Sequence, residues 1–344
     1  MYLMMQLKKS ISEPIAFNFF HGVILLISLL PIRSFGQLIV AGQNISGGFD
    51  KFPTFNSNYI KSNKIKSITF DIIDKKDFQI AVDNGLIQHF DFDNEGRLTR
   101  YYYTNVQKTI VKQFQKPDIY KRKKKIASGG TYFKNETVYD TISYRFFYNE
   151  SNKIKLKRFN EKEFYESTYY DYDKDGNLIR ELRCRETNVS GDPSVFQCGL
   201  QTILSEEKFE YEKTGSLQIK KKCLNDEGRI FKEAIINFSE SKKILSVNEN
   251  FTATWISQQT LFKYNEKDQL IEKKYSSDTN GSMSTTDIFE YDEKGNILTE
   301  FQYKNGVLTN ELSYLFDENT QLVKSFLNRD HIQKSIRITK VFYK

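Results

Sequence analysis

The stretch Phe289-Glu290-Tyr291-Asp292-Glu293-Lys294-Gly295-Asn296-Ile297-Leu298 reads as strand, tight turn, strand, and the same sentence recurs along most of the chain. Aligned on the apolar residue before each turn, the copies are anchored at Phe92, Tyr148, Tyr172, Tyr211, Leu224, Phe238, Tyr264, Tyr291, Tyr303 and Phe316. After a first gap of 56 residues, every spacing falls within a residue or two of a multiple of 13. A fixed period of this kind is the signature of a repeat architecture.

Each unit has a physical logic. Aromatics at i and i+2, such as Phe289 and Tyr291, share one strand face. An acidic or amide residue follows, as at Asp93, Asp173 and Asp292, whose side chain bonds nearby backbone N–H groups and starts a turn. Three residues on, Gly96, Gly176, Gly215, Gly228 and Gly295 are expected at positive φ, which glycine adopts without steric cost. Asn152 and Asp268 tolerate the same region, whereas Lys242 and Thr320 fit it poorly, so those two turns are expected to differ. The predicted fold is all-β: a repetitive antiparallel meander of short hairpins, forming an elongated, twisted or partly curled sheet. Short connections exclude parallel βαβ units.

Strict alternation puts Phe90, Phe92, Leu98 and Tyr102 on one face and Tyr101 and Tyr103 on the other. By the same count Phe147, Tyr169 and Tyr275 also fall off the main frame. These off-frame aromatics, Tyr101, Tyr103, Phe147, Tyr169 and Tyr275, form either a ligand platform or a second packing face. Trp255 reads as a strand core residue.

Ahead of the repeats, residues 1–36 have the form of a signal peptide. Lys8 and Lys9 precede the apolar run Val23 to Leu30, and Ser34-Phe35-Gly36 offers small residues for cleavage. That run is short of the roughly 20 residues a membrane helix needs; the alternative is an uncleaved anchor over Phe17 to Ile32, and membrane contact is expected only through that segment. Residues 37–63 read as an irregular lead-in, and 64–344 as the repeat domain. The expected location is exported, in the periplasm, at the cell surface or outside the cell, and the Lys/Asn/Ile/Tyr-rich style reads as bacterial. Export permits disulfides. Cys184 and Cys198 bracket a turn-rich insertion and are a candidate bridge, with Cys223 left as a buried thiol. The three cysteines match no zinc spacing.

Tyr172-Asp173-Lys174-Asp175-Gly176-Asn177-Leu178 and Tyr291-Asp292-Glu293-Lys294-Gly295-Asn296-Ile297 resemble YD repeats, the Rhs-type repeats of bacterial surface and toxin proteins. Phe301-Gln302-Tyr303-Lys304-Asn305-Gly306-Val307-Leu308 is similar to MORN-like repeats. The resemblance runs from about Lys64 onward and bears on architecture. Large members of the family wrap such strands into a shell around a toxin domain; this repeat region is short for that role.

Little points to catalysis. The histidines His21, His89 and His331 form no ligand cluster, and no nucleophile elbow, Walker loop or dinucleotide fingerprint occurs. Asp171 to Gly176 matches the first half of a calcium loop, but the twelfth position is Leu182, with Glu181 one place early, and strands flank it. We therefore read it as a repeat turn, and expect no metal and no cofactor. The run Lys121-Arg122-Lys123-Lys124-Lys125 reads as a solvated loop, and a net charge of +7 spread over both signs does not call for nucleic acid. Strands of six or seven residues with charges beside the aromatics speak against an outer-membrane barrel. The functional expectation is a non-catalytic binding or scaffold module for a protein or glycan at the cell envelope. The alternatives are a carbohydrate-active enzyme using a carboxylate pair, or a toxin- or immunity-associated repeat protein.

Overall fold

The computed structural model divides into Met1–Phe35 and Gly36–Lys344. It describes residues 38–39, 53–115, 131–160, 164–190, 195–278 and 283–344, all in the second unit. The expected signal peptide and the basic run at 121–125 lie outside the described residues.

Eighteen antiparallel strands follow one another in chain order. They are β1 (Ser67–Lys76), β2 (Val82–Phe92), β3 (Leu98–Gln115), β4 (Thr131–Tyr148), β5 (Ile154–Asn160), β6 (Tyr165–Tyr172), β7 (Leu178–Asn188), β8 (Cys198–Gly215) and β9 (Gln218–Leu224). The second half comprises β10 (Ile230–Phe238), β11 (Ile244–Phe251), β12 (Ile256–Tyr264), β13 (Leu270–Ser277), β14 (Met283–Tyr291), β15 (Ile297–Lys304), β16 (Val307–Phe316), β17 (Val323–Asp330) and β18 (Ser335–Tyr343). Each pairs with its sequence neighbours, and β18 pairs back onto β1, from Ile68↔Tyr343 to Lys76↔Ser335. The meander is therefore a closed barrel rather than an open or partly curled sheet. Closure removes the sheet edges that an open array would expose.

The reason for closure is local. The turns starting at Asp93, Asn149, Asp173, Ser239, Asn265, Asp292 and Asp317 all lie at one end of the barrel, the near rim. Each carries a one-residue register shift just past the turn. In the first, Phe92 faces Leu98 but Asp91 faces Arg100, so Thr99 is an extra residue. A bulge of this kind increases twist and bends its strand. Repeated around one rim, it curls the sheet until its ends meet.

The turn chemistry follows the expected pattern. Asp93 Oδ1 accepts from the N–H groups of Glu95 (2.9 Å) and Arg97 (3.0 Å), and Asp173 and Asp292 accept from Asn177 and Asn296 at 2.7 Å. Gly96, Gly176, Gly228 and Gly295 have φ of 75°, 81°, 76° and 89°. Gly215 has no positive φ: it ends β8 opposite Gln218, in a tighter hairpin. Lys242, expected to fit poorly, adopts φ 62° in an ordinary turn whose starter is Ser239. At Asp317 the loop is one residue longer and Gln321 takes the positive φ (59°) in place of Thr320. Trp255 is not a core residue but sits in the β11–β12 turn with φ 55° and 89% of its surface exposed.

A second ring of contacts ties hairpin to hairpin. The hydroxyls of Tyr148, Tyr172, Tyr211, Tyr264, Tyr291 and Tyr343 donate to the carbonyls of Leu98, Ile154, Leu178, Ile244, Leu270 and Val323, at 2.6–3.0 Å. Each acceptor is an apolar residue early in the preceding odd-numbered strand, beside the bulge, where the ladder is interrupted and the phenol supplies a donor. Burial pushes the hydroxyls of Tyr148, Tyr211 and Tyr291 up to about 12. They therefore remain protonated donors at any ordinary pH.

The lead-in is not wholly irregular. Ile39 bridges to Phe55, and Asn56 caps a short helix α1 (Ser57–Ser62), its Oδ1 accepting from Asn58 N at 3.1 Å. Phe55 packs edge-on against Phe90 and Phe92, with centroids 4.8 and 5.1 Å away. Leu38, Ile60 and Ile65 join the core formed by inward positions of β1–β4 and β10–β18.

The glycines should separate on substitution by Ala. At Gly96 a Cβ would lie 2.1 Å from the Ser57 carbonyl as well as carrying a strained φ, so G96A should be the most destabilising. G228A meets open space and should cost only the left-handed strain, about 1–2 kcal/mol. G215A, with an ordinary 3.5 Å contact, should be neutral or stabilising by up to about 1 kcal/mol. Y291F should cost about 0.5–1.5 kcal/mol, the net worth of one hydrogen bond. Urea unfolding midpoints check all four.

Candidate functional site

Following the register around the ring identifies the inward face. Ile68 faces Phe90, Phe90 faces Tyr101, Tyr101 faces Tyr144 and Tyr144 faces Phe159. The bulge at Thr99 shifts the frame, so Tyr101 and Tyr103 share the inward face with Phe90 instead of opposing it. Tyr101 is buried and stacks on Phe90 at 4.8 Å and Tyr103 at 5.5 Å. Tyr275, opposite Thr260, also points inward. Phe147 and Tyr169 lie on the outer wall. The five aromatics therefore form no single platform.

On that outer wall Tyr169 is already engaged. Its hydroxyl donates to Glu186, which is fully buried and also accepts from Ser167 Oγ (2.5 Å), Arg158 (3.0 Å) and Gln201 (2.8 Å). Burial works to raise the Glu186 pKa, but bonds from Ser167 and Tyr169 and the Arg158 charge hold it below the usual value. Phe196 covers Arg158, whose guanidinium carbon is 3.6 Å from the ring centroid. This network is a satisfied buttress under the β7–β8 connection. The expected Cys184–Cys198 bridge is absent, and both thiols are free. Cys184 faces Ile203 while Cys198 faces Asn188. Four residues along a strand span roughly 13 Å, against a limit of about 7 Å between bridged Cα atoms. Cys223 is buried on the inner wall.

Inside the barrel, the apolar core is interrupted over β5–β9. The inward positions there include Lys157, Thr168, Glu181, Glu207 and Lys221, linked by the pairs Lys157↔Thr168, Tyr170↔Glu181 and Glu181↔Glu207. Beside this sector lies a cavity of about 580 Å³. Pro53 and Phe55 of the lead-in bound one side, and Phe146, Tyr148, Tyr170 and Tyr172 supply aromatic walls. Arg97, Lys157 and Glu181 bring charge. Arg97 is held by Asp93 (2.7 Å) and lies over the Tyr148 ring at 4.6 Å. Glu181 makes no hydrogen bond or contact ion pair with any described residue. Burial, reinforced by the neighbouring Glu207, raises its pKa, and Lys157 opposes the shift.

The sequence reading missed Glu181, Glu207, Lys157 and Tyr170 as a group. The available signal was their inward frame, which the bulge at Ile179 hides. Asp93, Gly96, Asp173, Gly176, Asp292 and Gly295 are spent on rim turns, and Gly228 on a turn at the opposite rim. No group of acidic, histidine or cysteine side chains suited to a metal occurs among the described residues.

Comparisons with known proteins add little. One family model, described only as an uncharacterised protein, matches residues 199–337. No curated protein matches the sequence. Among solved structures, a porin-like protein from Bacteroides uniformis ATCC 8492 is 9% identical with a TM-score of 0.33, covering 81% of this chain and 98% of its own. A porin-like protein from Bacteroides vulgatus ATCC 8482 is 8% identical with a TM-score of 0.28, covering 60% of this chain and 94% of its own. A TcdB2-TccC3-Cdc42 structure is 11% identical with a TM-score of 0.19, covering 72% of this chain and 14% of its own. At these scores no argument passes to this chain.

A second inward carboxylate gives a pH test. Burial raises the Glu300 pKa; the Tyr314 hydroxyl, 2.6 Å away, works to lower it, and Asp287 raises it further. The folded state thus holds this proton more tightly than the unfolded chain. Stability is greatest below the ordinary glutamate range and falls as pH rises toward the folded value. E300Q, which mimics the protonated acid, should raise Tm at pH 7, raise it less at pH 4, and flatten the decline between them. Thermal melts across that range check it.

Proposed function

We propose that this chain is an exported, non-catalytic barrel that binds a glycan in its lumenal cavity. The carrying observation is the aromatic-walled, charge-bearing cavity at the gap in the core. Its volume lies within the roughly 300–1,000 Å³ of ordinary ligand pockets. Aromatic faces beside a few polar groups suit sugar rings, which pair apolar faces with polar edges. The leader-like N-terminus supports export to the cell envelope.

The outer wall favours an aqueous setting over a bilayer. Arg180 pairs there with Glu206 (2.6 Å) and Asp171 (3.2 Å), Lys220 with Glu233 (2.9 Å) and Lys263 with Glu272 (2.8 Å). A lipid-facing Arg or Lys costs about 2–4 kcal/mol at the bilayer midplane. The outward charges run through the strands rather than clearing an apolar band.

A second reading, hydrolysis of the bound glycan, is favoured only by the facing register of Glu181 and Glu207. Release of reducing ends, abolished in both E181Q and E207Q, would support it.

A glycan array followed by ligand-observed NMR tests the main reading. Binding should be lost in Y170A and kept in W255A, whose side chain projects from a distant turn. Silence across the array, or binding untouched by Y170A, would overturn it.

A further inference from the structure

Glu181 and Glu207 stand directly opposite on β7 and β8, both facing the lumen. Like charges in that position destabilise a sheet. Several inward charges of the barrel are paired: Lys232 with Glu249 at 2.9 Å, Arg183 with Glu166, and Arg337 with Asp74 at 2.8 Å. Neither Glu181 nor Glu207 has such a partner among the described residues. Lys157 and Lys221 soften the field at Glu181 without reaching contact, and Arg183 is committed to Glu166.

The surroundings select what would relieve this conflict. Tyr170 is the cross-strand neighbour of Glu181, and Phe146, Tyr148 and Tyr172 line the same cavity. Aromatic faces attract cations, and the chain's own cations already use two of these rings: Arg97 lies over Tyr148 at 4.6 Å and Lys153 over Tyr172 at 5.2 Å. No third acidic, histidine or cysteine side chain joins the pair in a metal-binding group among the described residues. An organic ammonium asks for one carboxylate and a ring face.

We propose that the lumenal cavity takes a ligand bearing a protonated amine, an amino sugar, with Glu181 as the counter-ion and Tyr170 as the facing ring. This rests on the glycan-binding reading and narrows it. Glu207 then holds the local field negative, so that an incoming ammonium gains more than a neutral hydroxyl. The unliganded protein bears the cost of the repulsion, and the ligand removes it.

The test compares the β-1,4 disaccharide of glucosamine with its fully N-acetylated form by calorimetric titration at pH 6. Wild type should bind the amine form about tenfold more tightly, and E181Q should lose that preference. E181Q should also melt higher than wild type, since the repulsion is gone. A residue of purely structural value would move Tm the other way. Spermidine serves as an amine without a sugar ring and should bind more weakly than the amino disaccharide. Equal affinity of wild type for the two disaccharides would overturn the ammonium assignment while leaving the glycan reading intact. So would preference for spermidine, which would make the ligand a polyamine. Absence of binding by any saccharide would instead remove the reading on which the proposal stands.

Discussion

One extra residue just past seven of the near-rim turns governs most of this architecture. The bulge shifts the side-chain frame between the anchor and the rest of the next strand. It thereby decides which aromatics enter the core. It bends the strand, and the bends add up until β18 meets β1. It also interrupts the ladder near all six carbonyls that the tyrosine hydroxyls reach. Phe92, Phe238 and Phe316 occupy the same anchor position without a hydroxyl, so the ring of phenols is incomplete.

The turns were legible in the sequence because their chemistry is local. Asp93, Asp173 and Asp292 begin turns that their own side chains hold, and glycine at positive φ needs no distant partner. Lys242 shows the limit of that logic: its backbone accepts the left-handed region because the surrounding ladder fixes it. Closure was hidden for the opposite reason. Ile68 and Tyr343 meet across nearly the whole repeat region, and no short window of sequence records such a pairing. The face assignments of Tyr101, Tyr103 and Tyr275 failed by the single residue that alternation does not count. The Cys184–Cys198 bridge failed because spacing in sequence says nothing of register across a bulged hairpin.

The cavity was invisible as a unit. Phe146, Lys157, Tyr170 and Glu181 come from four strands and converge only when each frame is corrected. Glu181 showed itself in sequence merely as a misplaced calcium-loop residue. In the barrel it faces Glu207, a conflict between local and global preference of the kind that foldable sequences usually avoid. Such conflicts persist where they serve a site. The polar sector over β5–β9 and the apolar sector over β10–β18 thus divide the labour, the second stabilising a ring in which the first can remain unfilled.

The pairing of β18 with β1 restricts how such a chain can grow. In a closed ring where every neighbour is antiparallel, the number of strands must be even. Duplicating a single strand-and-turn unit would bring two parallel strands together at the seam and break the ring's hydrogen-bond pattern. Duplicating a hairpin would not. The smallest heritable step in barrel size is therefore two strands, about 26 residues, twice the period seen along the sequence. Lineages built on this plan should differ from one another in whole hairpins, with lumen width changing in discrete increments rather than residue by residue.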